Sequence, residues 1–497
     1  MIRRSLASLV LALSALAAVG ARADDQEKRL TILYTTDIHA HYLPHNKAGG
    51  MAALEAKVKQ IRAEAKDPVF LFDSGDMLSG HPASELDYQG IKGGALFAMM
   101  NVVGYDAWCI GNHDFDNGRA NLSKVVSFLK FPSVSANLHA DGDPPLGQKR
   151  WTIIEKGGIK VGVFGLILES LDKVVKPDKM VGVHVSSTTE AAKEAVAELT
   201  SKCDLIVCLS HCGSDEDVKL ADRVKGINVI LSGHNHRPLL PAFHANKTLV
   251  TEGHIWSEQL GRLDLKLKNG HTHFDSEMLK LPDVAPEGEM KKIVEDVDAA
   301  VGPRVKEVLG TLDTPWKREN KAESNIGNFF SDGLREFAKA DCAFLNSGGI
   351  RSNHEAGSLT YLDVYEIFPF PNTVVTFELS GEDLKTLCHK NANAQLGDQY
   401  GILQVSGVRY EFKGHGKNAE ITKVTVNGEP LDPKKTYKCA SNDFVVDQHD
   451  KYFGQVTLLN TTATESLLCD VAEEYVRAQA KKGPIKSVLE DRMKRTD

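Results

Sequence analysis

The chain has 497 residues, of which 42% are hydrophobic, 25% charged and 7% aromatic. That length exceeds one ordinary core and implies two or three domains, and the balance excludes a disordered or fibrous chain. A formal net charge of −8 excludes general coating of a nucleic-acid polymer, and eight cysteines are too few for a disulfide scaffold.

Residues 1–23 read as a secretory signal peptide. Arg3 and Arg4 precede an apolar run from Leu6 to Val19, and Ala21-Arg22-Ala23 forms a small-x-small cleavage site. The run is too short and alanine-rich for a spanning helix, and no later stretch is long and apolar enough to span. Cleavage would remove three arginines and no acids, taking the net charge from −8 to −11. The mature protein is expected in a periplasm or outside the cell. That compartment permits disulfides, but spacing does not give their connectivity. Cys208 falls mid-strand and reads as a buried thiol. No CxxC pair exists to suggest a cysteine zinc site.

The first half repeats one pattern, an apolar run of strand length that ends in polar side chains. Leu30–Tyr34 runs into Thr35-Thr36-Asp37-Ile38-His39. Val69–Phe72 runs into Asp73-Ser74-Gly75-Asp76. Ala107–Ile110 runs into Gly111-Asn112-His113-Asp114-Phe115-Asp116. Leu205–Leu209 runs into Ser210-His211-Cys212-Gly213, and Val229–Leu231 into Ser232-Gly233-His234-Asn235-His236. Helical patterns such as Met51–Ala65 and Thr189–Lys202 lie between them, which predicts an α/β domain. In open α/β sheets ligands bind beyond the carboxyl ends of the strands, so five strand ends could converge on one site.

Pro282–Pro286 breaks the chain, and Glu287–Leu309 reads as an amphipathic connector helix. Beyond it Val374–Leu379 alternates as a strand, Ser380-Gly381-Glu382-Asp383 starts a helix, and Glu420–Val426 with Asn427-Gly428 reads as a hairpin. The expected organisation is therefore signal peptide 1–23, α/β domain 24–285, linker helix 286–312 and a second, α+β domain 313–497.

Asp37, His39, Asp76, Asn112, His211, His234 and His236 make two carboxylates, four imidazoles and one amide. That mixture suits Zn²⁺ or Mn²⁺ better than Ca²⁺. Seven ligands are too many for one tetrahedral ion, but two ions sharing Asp76 would use them all. Such a pair can activate water and stabilise an in-line displacement at phosphorus. Each cluster alone has a blander reading as a turn or loop; the set of five does not.

The order Asp-x-His, Gly-Asp, Gly-Asn-His-Asp, Ser-His, Gly-His-x-His resembles the calcineurin-like metallophosphoesterases. With the second half, the chain is similar to the secreted 5′-nucleotidase family, which includes periplasmic UDP-sugar hydrolases. The resemblance implies an N-terminal calcineurin-like α/β sandwich, a linker helix and a C-terminal α+β 5′-nucleotidase domain. It implies one divalent ion (Zn, Mn, Co or Mg) on Asp37, His39, Asp76 and His236 and a second on Asp76, Asn112, His211 and His234. His113 would pair with Asp116 and stabilise charge on phosphoryl oxygens. Asp114 would support, and Asp73 would be structural.

In the second half, Asn346-Ser347-Gly348-Gly349-Ile350-Arg351 would by the same resemblance place Arg351 on substrate phosphate and Asn346 near the base. Phe370 and Phe444 would stack the nucleobase, and Asp450 would bind ribose. Taken alone, both phenylalanines read as core residues and the glycine block as a turn. The loop Gln448-His449-Asp450-Lys451 is bulkier than the family's glycine-rich one, and Ala322 stands where an arginine is common, with Arg318 nearby. The linker would allow domain closure over substrate. The expected activity is removal of phosphate from 5′-nucleotides, with UDP-sugar hydrolysis as an extension and nucleotide scavenging as the role. The enzymatic alternative is a 3′-nucleotidase/2′,3′-cyclic phosphodiesterase or another metal-dependent ester hydrolase. A non-catalytic nucleotide-binding protein ranks lower, because the ligand set with His113 and Asp116 is intact. Oligomeric state is not legible in the sequence.

Overall fold

The computed structural model describes residues 27–44, 49–142, 146–268, 271–397 and 401–497. The expected signal peptide lies outside the described residues. Among the described residues, no helix is long and apolar enough to cross a membrane.

Two six-stranded sheets build the first half. One runs in the order 271–280, 259–268, 28–35, 69–73, 107–109, 133–134. The other runs 239–245, 248–252, 229–232, 205–211, 159–167, 151–156. Alternation decides which way each strand faces. Leu30, Ile32 and Tyr34 point between the sheets and meet Val161, Val207 and Leu231. Leu33 points outward to the helices Met51–Glu64 and Gly94–Val103. On the second sheet Ile206, Cys208 and Ile230 face the helices Thr188–Leu199 and Ser214–Arg223. The central strands are thus covered on both faces, which is why they read as continuous apolar runs. Cys208 is a buried free thiol, and none of the eight cysteines is in a disulfide.

The connector differs from expectation. The helix covers Gly288–Val305, not Glu287–Leu309. Val308–Leu312 is a strand that pairs with Gly357–Thr360. Val308-Leu309-Gly310-Thr311-Leu312 suits a strand, and tertiary pairing overrides the amphipathic pattern there. The helix also does not stand free. Met290, Ile293, Val294 and Val297 join the core beneath the first sheet, and Asp298 accepts from the Tyr42 hydroxyl at 2.8 Å.

A five-stranded sheet organises the second half, in the order 403–406, 342–346, 436–442, 373–380, 459–467. Helices Asn325–Ala338 and Leu468–Ala480 cover one face. Helix Gly381–Leu396 and a four-stranded sheet cover the other. The predicted helix start is present, with the Ser380 hydroxyl accepting from the Asp383 amide. The predicted hairpin is also present, with Asn427 and Gly428 at positive φ between Val426 and Glu429. The molecule is a two-domain mixed α/β protein.

Candidate active site

All five polar clusters leave the carboxyl ends of their strands at one edge of the facing sheets. His211 is the last residue of its own strand, two residues beyond the apolar run read from the sequence. Two groups of donors form. Asp37, His39 and His236 lie with ligand atoms within 4.8 Å of one another, as do Asp76, His211 and His234. His39 Nε2 and His236 Nε2 are 3.0 Å apart, and His236 Nε2 is 3.3 Å from Asp37 Oδ1. Asn112 joins the second group through its Oδ1, 2.9 Å from His234 Nδ1. Asp37, His39, Asp76, Asn112 and His211 are buried.

The imidazoles are aimed by the backbone. His211 Nδ1–H donates to the Ser74 carbonyl at 2.7 Å, and His39 Nδ1–H donates to the Leu78 carbonyl at 3.0 Å. A carbonyl can only accept, so both rings keep Nε2 free to ligate, as metal-binding histidines do. His211 Nε2 lies 3.0 Å from Asp76 Oδ2, yet this buried nitrogen has no hydrogen-bond partner. An orphaned imidazole nitrogen beside a carboxylate is expensive to bury unless a cation lies between them. Carboxylate and imidazole donors converging from a buried wall fit a borderline divalent ion.

Strain collects at the same place. Asp37, His39, Asp76, His234 and His236 all have left-handed backbones, with φ between 49° and 81°. For non-glycine residues each costs on the order of 1–2 kcal/mol, and such strain gathers at functional sites. Gly111 permits the close approach of two loops. A Cβ there would lie 2.2 Å from Asp76 Oδ1.

Two buried acids brace the site: Asp114, read from the sequence as supporting, and Asp217, which was not singled out. Asp114 accepts from the amides of Gly111, Asp76 and Met77 at 2.8, 3.1 and 3.0 Å, joining two ligand loops. Burial and the neighbouring Asp76 push its carboxyl up to about 7. Asp217 accepts from the Ser210 hydroxyl at 2.6 Å and from the Ser232 hydroxyl, so it ties the strands that carry His211 and His234. Burial raises it to about 6. Ser210 and Ser232 lie seven and fifteen residues from Asp217, and no local pattern marks either as its partner. Asp73, read as structural, accepts from Thr35 Oγ1 and the Gly75 amide.

His113 Nδ1–H donates to Asp116 at 3.1 Å. Burial opposes its positive charge, but Asp116 and Asp76 outweigh burial and raise its pKa. Its ring stacks on Phe370 of the second domain, centroids 5.2 Å apart and planes 13° apart. The Arg351 guanidinium sits 5.6 Å from the centroid of the same Phe370 ring.

A cavity of about 1220 Å³ opens between the halves and is lined by Asp76, His113, Arg351, Phe370, Phe444 and Asp450 among others. Gly348 faces open space, so the turn presents bare backbone there. Asn346 is held by the Asn442 amide at 3.0 Å. Phe444 and Phe370 both line the cavity, but one neighbour of Phe370 is His113 itself. Arg318 lines the cavity. Its guanidinium donates to the carbonyls of Ile350 and Arg351 at 3.1 and 2.7 Å and so also supports the Arg351 loop. Asp450 is exposed, 3.2 Å from Gln455 Nε2. One strap was invisible in the sequence: Lys176 of the first domain donates to the Pro371 carbonyl at 2.9 Å and to Asp443 at 2.7 Å.

Comparison with known proteins agrees with this architecture. Residues 30–238 match the model of the calcineurin-like phosphoesterase family, and residues 305–456 match that of the 5′-nucleotidase C-terminal domain. The chain is 27% identical to protein UshA of Yersinia enterocolitica, over 91% of this chain and 91% of that protein. It is 27% identical to a 5′-nucleotidase of Vibrio vulnificus, again over 91% of each. The crystal structure of a 5′-nucleotidase precursor from Thermus thermophilus superimposes with a TM-score of 0.82 at 28% identity, covering 94% of this chain and 99% of that one. With both domain models matched in tandem and relatives aligned over nearly the whole length, the chain belongs to the 5′-nucleotidase family of calcineurin-like metallophosphoesterases and is a metal-dependent phosphoester hydrolase.

Proposed function

We propose that this protein is a secreted phosphohydrolase that uses two divalent ions to remove the phosphate of 5′-nucleotides, with UDP-sugars as further substrates, in nucleotide scavenging. One observation carries the reading: two converging donor groups share a cavity with His113, which stacks on an aromatic side chain of the other domain. Asp37, His39, Asp76 and His236 would hold one ion, and Asp76, Asn112, His211 and His234 the other. When bound, such ions supply Lewis acidity and a nucleophile at neutral pH.

The chain's own groups do the rest. Asp116 orients the His113 imidazole, whose outer edge then donates to phosphoryl oxygen as charge develops. Arg351 binds the phosphate with its planar fork. Phe370 and Phe444 hold the base by stacking, worth about 1–3 kcal/mol for any base. Asn346 is preset against the base and Asp450 against the ribose. The leader read in residues 1–23 supports export to a periplasm or the extracellular space.

The test is phosphate release by metal-stripped protein refilled with Mn²⁺, Zn²⁺, Co²⁺ or Mg²⁺. The panel is AMP, 3′-AMP, 2′,3′-cyclic AMP and UDP-glucose, with a coupled phosphatase for diester products. AMP turnover that needs metal and falls about 10²–10³-fold in His113→Ala is the expected result. Turnover confined to 3′-AMP or the cyclic diester would replace the 5′-nucleotidase reading. Titration of bound metal at one ion per chain would refute the two-ion site.

A further inference from the structure

The cavity carries more positive charge than a single phosphate requires, and part of it lies away from the metal donors. Lys173, Lys390 and Lys451 line it from three separate elements. Lys173 ends a short turn of helix, Leu171–Lys173, in the first domain. Lys390 belongs to the helix Gly381–Leu396, and Lys451 to the helix His449–Tyr452 of the second. The stem of Lys390 packs beside Gly454, just beyond the helix of Lys451. Burial, and repulsion from nearby Lys173, lower the affinity of Lys451 for its proton.

Most cations on this wall are already occupied. Lys176 is paired with Asp443, Arg237 lies 3.7 Å from Asp215, and Arg318 donates through Nη1 to two carbonyls. These three lysines differ. Among the described residues none of them has a carboxylate partner. Lys451 reaches only the Gln448 side-chain oxygen at 3.3 Å and the face of Tyr452, 4.9 Å from its centroid. The nearest acid along the chain, Asp450, is engaged by Gln455 and by His449 at 3.7 Å. Three lysines gathered from two domains around one cavity, none of them ion-paired among the described residues although Asp447 and Asp450 line the same wall, form a site for an anion.

We infer that Lys173, Lys390 and Lys451 form a second anion subsite, and that the protein favours nucleotides carrying a further phosphate on the ribose, that is, nucleoside 3′,5′-bisphosphates. The inference rests on the nucleotidase reading for its orientation. With the scissile phosphate at the metal donors and the base at Phe370 and Phe444, the loop 448–451 flanks the sugar. There the resemblance places a ribose carboxylate on a glycine-rich loop, whereas this chain adds Lys451 beside it. Lysine suits the task as a mobile point charge.

The experiment compares adenosine 3′,5′-bisphosphate with AMP on the metal-loaded full chain, as the ratio of kcat/KM. One added charge-assisted contact of about 1.5–3 kcal/mol gives a preference of roughly tenfold or more for the bisphosphate. Lys451→Ala and Lys173→Ala should each reduce that ratio several-fold, and raised salt should reduce it in the parent protein. A ratio near one, or one unmoved by both substitutions, overturns the subsite. Calorimetric binding of the two nucleotides separates the two readings. If neither nucleotide is hydrolysed, the nucleotidase reading fails, while tighter binding of the bisphosphate that is lost in Lys451→Ala still supports the subsite. Inorganic phosphate is the second arm. Millimolar phosphate that lowers the bisphosphate-to-AMP ratio, beyond its common inhibition of both substrates as product, supports a phosphate-specific subsite. Equal competition by sulfate and chloride overturns it in favour of bulk charge.

Discussion

Replacing Lys176 by methionine removes an ammonium but keeps its stem, and so isolates the strap between the domains. The ammonium reaches the carbonyl of Pro371, next to Phe370, and the carboxylate of Asp443, next to Phe444. One side chain of the first domain therefore holds both segments that carry the proposed base clamp. Lys176 and Asp443 are 18% and 20% exposed. The pair lies between a surface bridge, about 0–1 kcal/mol, and a well-buried charged hydrogen bond, about 1.5–3 kcal/mol. Asp443 keeps Thr373 Oγ1 at 2.9 Å and the Phe444 amide at 2.8 Å, so the loss should not strand it. We expect about 1–2 kcal/mol, a factor of roughly 5–30. It should appear in KM for AMP, with kcat/KM for phenyl phosphate, which has no nucleoside, unchanged. Asp443→Asn should act alike, and the double variant should cost less than the two single ones summed. An unchanged KM for AMP, equal losses with both substrates, or full additivity would each refute the strap.

Three other outcomes are expected. Gly111→Ala should abolish metal retention, because its Cβ would stand 2.2 Å from Asp76 Oδ1; metal content after dialysis reads this directly, and full occupancy would contradict it. Chelation should lower the melting transition of the first domain and spare the second, by about 2.7 kcal/mol relative to protein at a hundredfold excess of metal over Kd; calorimetry with one unshifted transition would argue against donors confined to the first half. His354 lies 3.2 Å from Asp363, and this contact raises the histidine above its ordinary 6.5. Burial opposes the charge on Asp363, but His354 and Thr360 outweigh it and hold the carboxyl below its ordinary 3.8. The stabilisation is therefore full between those two ordinary values. It is lost as pH rises through the raised histidine pKa, and as pH falls through the lowered aspartate pKa. His354→Asn should cost more at pH 5.5 than at pH 8.5, by roughly 1 kcal/mol; equal melting shifts at both would exclude the linkage.

The candidate metal donors were legible because each lies at the end of its strand or within a few residues beyond it. Apolar periodicity located the strands, and their ends located Asp37, Asp76, Asn112, His211 and His234. The helix and hairpin at Ser380 and Asn427 were legible for the same local reason. What escaped was long-range. Lys176 and Asp443 are 267 residues apart, and no pattern in either segment points to the other. Asp217 looks like an ordinary first-turn acid until the fold brings Ser232 beside it. The stretch Val308–Leu312 carried both a helical and an extended pattern, and only its partner Gly357–Thr360 decides between them.

The position of the first strand has a consequence for biogenesis. Lys28–Thr35 is an inner strand, with Val69–Asp73 on one side and Gln259–Lys268 on the other, and Lys28 faces Leu267. A chain still emerging from the ribosome leaves one whole edge of that strand open until residue 268 has been made. Its backbone donors and acceptors are then available to any other extended segment. The loop bearing Asp37 and His39 hangs from this strand; it bonds to Gly75, Asp76 and Met77, made early, and to Trp256, made late, so its anchoring is complete only once that residue is in place. Closure over so long a separation is slow relative to local helix formation. The candidate metal site is thus completed late in folding, although Asp37, His39 and Asp76 are made early.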